Sequence, residues 1–357
     1  MSTVKFNNTN AVFYNTLKSK IDNYFKEKNI HSTGDIRLYI KSVVITLSMA
    51  LFYIWVVFFT PQSILLSLLL CGGVGICMSL MGFNMMHDGG HGSYSQSKKL
   101  NRVMAYTINF LGANAFIWNQ KHNINHHTYP NVEGMDDDID LKPFLRVHDK
   151  QKKYKIHRFQ HIYAMFLYGL TTIFWVFYRD FKKYFSGKLA EHTALQSMTL
   201  EDHIVFWISK AAHVGVFVII PIYVVGFWPA FLGYLFAMYL LGLLLAIVFQ
   251  LAHVVEHTDF VSPAYPDPER IDSEWAVHQI KTTANFATRS KTLSWLLGGL
   301  NFQVEHHVFP KVSHVHYPQI NKLLMETCKE HGIQYIEYPT MWQALKSHMV
   351  YLRNLGR

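Results

Sequence analysis

Charge is what this sequence has little of. Of its 357 residues, 16% are Asp, Glu, Lys or Arg, against about a quarter in ordinary soluble domains. The shortage is concentrated. From Ser42 to Met86, 45 consecutive residues carry no charged side chain, and neither do the 45 from Ala211 to Val255. No ordinary soluble domain leaves two such runs uncharged. Cysteine is also scarce. Cys71 and Cys77 fall inside the first run and Cys328 in the tail, a spacing that excludes a disulfide framework. Repeats and low-complexity stretches are missing, and the composition excludes a disordered chain, a coiled coil and a collagen-like fibre. The first 41 residues are polar, without an apolar core of signal-peptide length.

Half the chain is apolar, and a bilayer core takes about 20 residues per helix. Each uncharged run therefore reads as two spans and a tight turn, broken at Thr60-Pro61-Gln62 and at Gly226-Phe227-Trp228-Pro229. The expected fold is an all-α integral membrane protein with four transmembrane helices in two hairpins, near 42–60, 63–84, 207–226 and 230–252. An N-terminal segment, 1–41, precedes them, and a helical cap is formed by 85–206 and 253–357. Phe159 to Tyr178 is also uncharged, flanked by Arg158, Arg179, Lys182 and Lys183. It reads as a helix lying in the membrane interface, because a fifth crossing would put the histidines described below on opposite faces. Val103 to Trp118 is too short to span and is expected to dip into the surface. In the tail, Pro318, Ile320, Leu323, Leu324, Cys328 and Gly332 mark a helix and its end.

Seven Lys and Arg precede the first span, fifteen lie between the hairpins, ten follow the last, and Lys210 sits at the mouth of the third. All fall on one side, which places both termini and the cap in the cytoplasm. The formal charge of +9 is then accounted for by topology and anionic headgroups, and no nucleic-acid partner is needed. The expected setting is a bacterial inner membrane rather than the endoplasmic reticulum.

Against this poverty of charge stand twenty-one histidines. HDGGH spans His87 to His91, HNINHH spans His122 to His127, QVEHH spans Gln303 to His307, and His253 and His257 follow span four. Residues four apart share a helix face, so His87 with His91, His122 with His126, and His253 with His257 can each aim two imidazoles at one point. The adjacent pairs His126-His127 and His306-His307 diverge and suit two metals. Neutral imidazole selects iron, copper, nickel or zinc rather than the hard cations that need oxygen. His213 reads as a hydrogen-bonded core residue, and His31, His148, His192, His331 and His348 as solvated. His278, His314 and His316 stay unassigned.

The three boxes, their order and the two hairpins resemble the integral-membrane fatty acid desaturases over nearly the whole chain, from about Arg37 onward. GGLNFQVEHHVFP, Gly298 to Pro310, carries the likeness most specifically. The glutamine opening the third box is similar to front-end and linoleoyl-CoA-type enzymes. The resemblance implies two ferrous ions that use dioxygen and two electrons to desaturate an acyl chain. It implies His87, His91, His122, His126, His127, His306 and His307 as ligands, and a further one from the end of span four. His257 is preferred for that place over His253, being farther from the bilayer, and Gln303 is a further candidate. Asp88, Glu256 and Glu305 stand beside candidate ligands, and Asp136, Asp137, Asp138 and Asp140 follow the second box. Such carboxylates can fix imidazole tautomers. Phe83, Tyr106, Phe110, Phe116 and Trp118 are candidates for lining an acyl tunnel, and Lys98, Lys99, Arg102 and Lys121 for holding a headgroup.

The implied substrate is an acyl-lipid or acyl-CoA. The segments outside the boxes leave no room for a fused cytochrome b5 domain, so ferredoxin or free cytochrome b5 would bring the electrons. A related di-iron hydroxylase or ketolase is the nearest competing function. A metal transporter would place its ligands within the spans, and a zinc hydrolase would need only three.

Overall fold

In the computed structural model, which describes residues 4–9, 11–263 and 270–357, side chains mark the starts of several long helices. Helix α1 (Val12–Lys28) begins against the carboxylate of Glu274, which accepts from the amides of Phe13 and Tyr14. The Asp35 side chain accepts from Arg37 N to start α2 (Ile36–Phe58), and Ser63 does the same for α3 (Ile64–His91). Helix α4 covers Lys155–Ser186, α5 covers Leu200–Val225 and α6 covers Phe227–His253. The last two are separated by Gly226 alone, with φ 86°. Trp228 and Pro229, expected in the turn, belong to the first turn of α6.

Among the described residues five helices, α2 to α6, are long and apolar enough to cross a membrane, one more than the four expected spans. Ile40, Val44, Leu47, Leu51 and Ile54 form an exposed apolar stripe along α2, which fits lipid on one side of a multi-pass membrane protein. The additional long helix is α4. Near its start, His157 Nε2 lies 2.8 Å from Pro143 O, and Gln160 Nε2 donates to Arg146 O and Leu352 O. Near its end, Arg179 and Lys183 bond the carboxylate of Asp137. Both ends of α4 thus meet the loops that follow the second histidine box or the C-terminal helix. Its middle crosses α6, where Gly169 and Gly242 let the two backbones approach.

The cap packs around α7 (Trp275–Lys281), α8 (Gln303–Val308), α9 (Tyr317–Glu330) and α10 (Met341–Gly356). Phe13, Leu17 and Ile21 of α1 are buried with Ile280, Val304, Ile320 and Leu324, so the polar N-terminal segment closes over the cap rather than trailing from it. The tail helix runs as its pattern requires, with Pro318 in its first turn and Gly332 at φ 64° beyond its end. The segment 98–119 folds as three short helices, Lys98–Ala105, Thr107–Phe110 and Ala115–Asn119. Strands are minor: Lys188–Ala190 pairs with Thr193–Ala194, and Asn285–Phe286 with Glu337–Tyr338.

Candidate metal centre

Three elements deliver the histidine boxes to one place. The C-terminal end of α3 loosens into a π-turn, Gly82–Met86, before the turn that holds His87 and His91. The second box lies in a π-turn of its own, Gln120–His126. Its i→i+5 bonding widens the helix, so His122, His126 and His127 all reach one cluster, although a regular helix would turn the neighbours His126 and His127 apart. The third box occupies the single short helix α8.

Two groups of imidazoles result. His87, His91, His122 and His306 form one, and His126, His253 and His307 the other, with the ligating atoms of each group within 4.8 Å of one another. Ring centroids in the second group are 4.7 to 4.9 Å apart. His127 sits between the groups: its Nε2 is 3.3 Å from that of His122, and its ring is 4.6 Å from the rings of both His91 and His307.

The far nitrogens are tied down. His253 Nδ1 lies 3.1 Å from Thr282 O, and His307 Nδ1 lies 3.0 Å from Gln279 Oε1. His306 Nδ1 is 3.1 Å from the Tyr317 hydroxyl, and His126 Nδ1 is 3.1 Å from the Asp136 carboxylate. A proton held on Nδ1 leaves the Nε2 lone pair free to ligate. The Nε2 atoms of His91, His126, His253, His306 and His307 are buried and have no hydrogen-bond partner among the described residues. Buried polar atoms are rarely left so, and a metal ion at each group would satisfy them. Burial, with repulsion from neighbouring imidazoles, holds His122, His127, His306 and His307 well below the ordinary imidazole range. The neutral form, the one that ligates, is thereby favoured. His126 goes the other way: burial opposes its charge, but the carboxylate of Asp136 raises it. The residues present fit metal.

A protein-family comparison matches residues 59–339 to the fatty acid desaturase family. The chain belongs to the fatty acid desaturase family. It is 34% identical over 355 residues to a Synechocystis protein named sn-1 linoleoyl-lipid 6-desaturase, covering 97% of this chain and 96% of that one. It is 35% identical over 352 residues to an acyl-lipid (8-3)-desaturase of Physcomitrium patens, covering 97% and 72%. An Arthrospira platensis protein named sn-1 linoleoyl-lipid 6-desaturase is 34% identical over 346 residues, covering 96% and 92%. This desaturase is thus an oxygen-dependent oxidoreductase of fatty acyl chains.

The expected order of preference, His257 before His253, is not the one the geometry favours, since His253 joins a histidine group. That order assumed a helix continuing past His253, but α6 stops there. His257 is exposed, in a turn with φ 76°, and belongs to neither group. Gln303 is fully buried one turn before His306 and His307, with both amide atoms unpartnered. The expected carboxylate supports also differ. Asp88 bonds Ser313 and His314, Glu305 bonds Asn285 and Asn321, and the Glu256 backbone bonds Ser347 and Tyr338. Among the described residues none of these three carboxylates holds a clustered imidazole. In the acidic run, Asp136 and Asp138 approach His126, Asp137 pairs with Arg179 and Lys183, and Asp140 is exposed beside Lys142.

Other sequence expectations divide. His213 is a core residue, with Nδ1 3.0 Å from Phe110 O and Nε2 2.9 Å from the Tyr234 hydroxyl. His148 and His348, expected in solvent, are buried, and His348 Nε2 lies 2.8 Å from the Tyr168 hydroxyl. His278 and His316 approach the carbonyls of Pro130 and Thr33. Trp118 stacks on His122, but Phe83 packs with Val248 and Leu251. An apolar cleft lies elsewhere, among the halves of the long helices remote from the histidines, beside Tyr53, Met78, Phe217 and Met238. Of the basic residues offered for a headgroup, Lys121 is taken by Asp138 and Arg102 by Glu201.

Proposed function

We propose that this desaturase introduces a double bond into the acyl chain of a membrane lipid, at two iron ions held by the two histidine groups. The observation that carries the reading is the pair of adjacent groups whose buried Nε2 atoms lack partners. His87, His91, His122 and His306 would hold one ion and His126, His253 and His307 the other, with His127 and Gln303 between or beside them. When bound, the ions supply the dioxygen chemistry: an acyl CH2–CH2 unit, O2, two electrons and two protons give CH=CH and two waters. The chain's own work is to aim the imidazoles, through Thr282, Gln279, Tyr317 and Asp136, and to exclude water by burying the cluster. A lipid-borne chain is favoured over acyl-CoA by the names of the similar proteins from Synechocystis and Physcomitrium patens.

The reading includes four crossings, with α4 lying along the interface and the termini and cluster cytoplasmic. Histidines from before and after α4 meet in one cluster, which requires an even number of crossings between them. The two ends of α4 also bond loops on that same side. A separate one-electron carrier, ferredoxin or cytochrome b5, delivers the electrons. Expressing the chain in a host that lacks the activity and mapping new double bonds in intact lipids and in the acyl-CoA pool tests the reading. New double bonds in lipid support it. Alcohol products, or products confined to acyl-CoA, would overturn it.

A further inference from the structure

Asn131 lies five residues beyond His126 and belongs to no histidine box, yet it touches the supports of two imidazoles. Its side chain is completely buried, and its φ is 56°, a left-handed conformation that asparagine tolerates better than most residues. Its backbone N–H donates to Asp136 Oδ2 at 2.9 Å, the same carboxylate that lies 3.1 Å from His126 Nδ1. Its side-chain Nδ2 faces three carbonyls, His253 O at 3.0 Å, Asp259 O at 3.0 Å and Thr282 O at 3.3 Å. The last of these is the acceptor beside His253 Nδ1. One residue thereby joins the loop after the second box, the end of α6 and the turn that ends α7.

We propose that Asn131 is the positioning residue of the second histidine group, fixing His126 and His253 relative to each other through Asp136 and Thr282. The inference rests on the two-metal reading above. Without the amide, the end of α6 and the loop bearing Asp136 are no longer tied, and two of the three imidazoles in that group lose their common reference. The group of His87, His91, His122 and His306 has no bond to Asn131 among those described and keeps its geometry. The left-handed backbone and the amide are separable, because glycine adopts this φ without cost but has no side chain.

The test uses the full chain purified in detergent from an iron-supplied host. Metal per chain is counted by elemental analysis, and iron environments are read by Mössbauer spectroscopy. Asn131→Gly keeps the backbone conformation and the N–H to Asp136. Asn131→Asp keeps the shape but turns an oxygen toward carbonyls. Both are expected to retain about half the parent's metal, with one iron environment lost and the other unchanged. Gln160→Ala is the control: Gln160 is equally buried and donates to Arg146 O and Leu352 O, away from the histidines. It should keep full metal. Adding Asn131→Gly to His253→Ala should lower metal content no further than His253→Ala alone. Should Asn131→Gly not survive purification, Asn131→Asp carries the same comparison. A two-metal parent whose Asn131→Gly variant keeps both metals overturns the inference, as does an equal loss in Gln160→Ala. A parent with fewer than two metals overturns the two-metal reading itself, and the inference with it.

Discussion

At the scale of single residues, the end of α6 decides most. His253 and His257 stand four apart, and helical periodicity alone treats them as equals. The helix stops at His253 because Val254 leaves helical geometry, at φ −115° and ψ 65°. His253→Ala is therefore expected to lose one metal and more than about 100-fold in activity, exceeding the effect of a supporting residue. His257→Ala should stay within about twofold of the parent, as an exposed residue away from functional contacts does. Metal counting with product assays on both variants checks this, and metal loss in His257→Ala would restore the opposite order. Supporting residues have their own expectation. Gln279→Leu removes the acceptor beside His307 Nδ1 and should weaken metal binding by about 10- to 100-fold, read by competition with a chelator.

Among the elements, α4 is held by close packing and by buried charge. A Cβ at Gly242 would stand 2.7 Å from Gly169 O. Gly242→Val should therefore force α4 off α6 and cost about 1–3 kcal/mol, measured as lowered thermal stability in detergent. Near the other end, Lys210 Nζ donates to Asp180 Oδ2 at 2.7 Å and also to Gly112 O and Val176 O. Removing one partner of a buried pair leaves an uncompensated charge, at a cost of about 3–5 kcal/mol. Asp180→Asn should be destabilised on that scale, and the double variant with Lys210→Met should recover much of the loss. Unfolding midpoints of the singles and the double decide it; additive losses would show that the pair is not coupled.

For the whole molecule, the question is how many times the chain crosses. Five helices have the length and apolarity, yet both ends of α4 bond the histidine-side loops. In a background lacking Cys71, Cys77 and Cys328, single cysteines at Lys155 and Ser186 should both be shielded from an impermeant reagent outside intact cells. Both should react in inverted vesicles. Cysteines at Ser97 and Lys311 should behave identically. Opposite labelling of the two ends of α4 would make it a crossing helix and break the four-span topology.

Membrane residence, the hairpin breaks and the membership of three histidine boxes were all legible in the chain, because they depend on local periodicity and on lipid refusing charge. Tertiary structure alone decided which imidazoles stand together in a group. His126 and His127 are adjacent, and a π-turn lets both reach one cluster that a regular helix would turn one of them away from. The partners of the Nδ1 atoms also came from afar: Thr282, Gln279 and Tyr317 carry no metal-binding signature and are 29, 28 and 11 residues from the histidines they hold. Whether a helix ends at His253 or one turn later depends on what caps it, and that cap is assembled from Asn131 and Thr258, side chains that only folding brings to the His253 carbonyl.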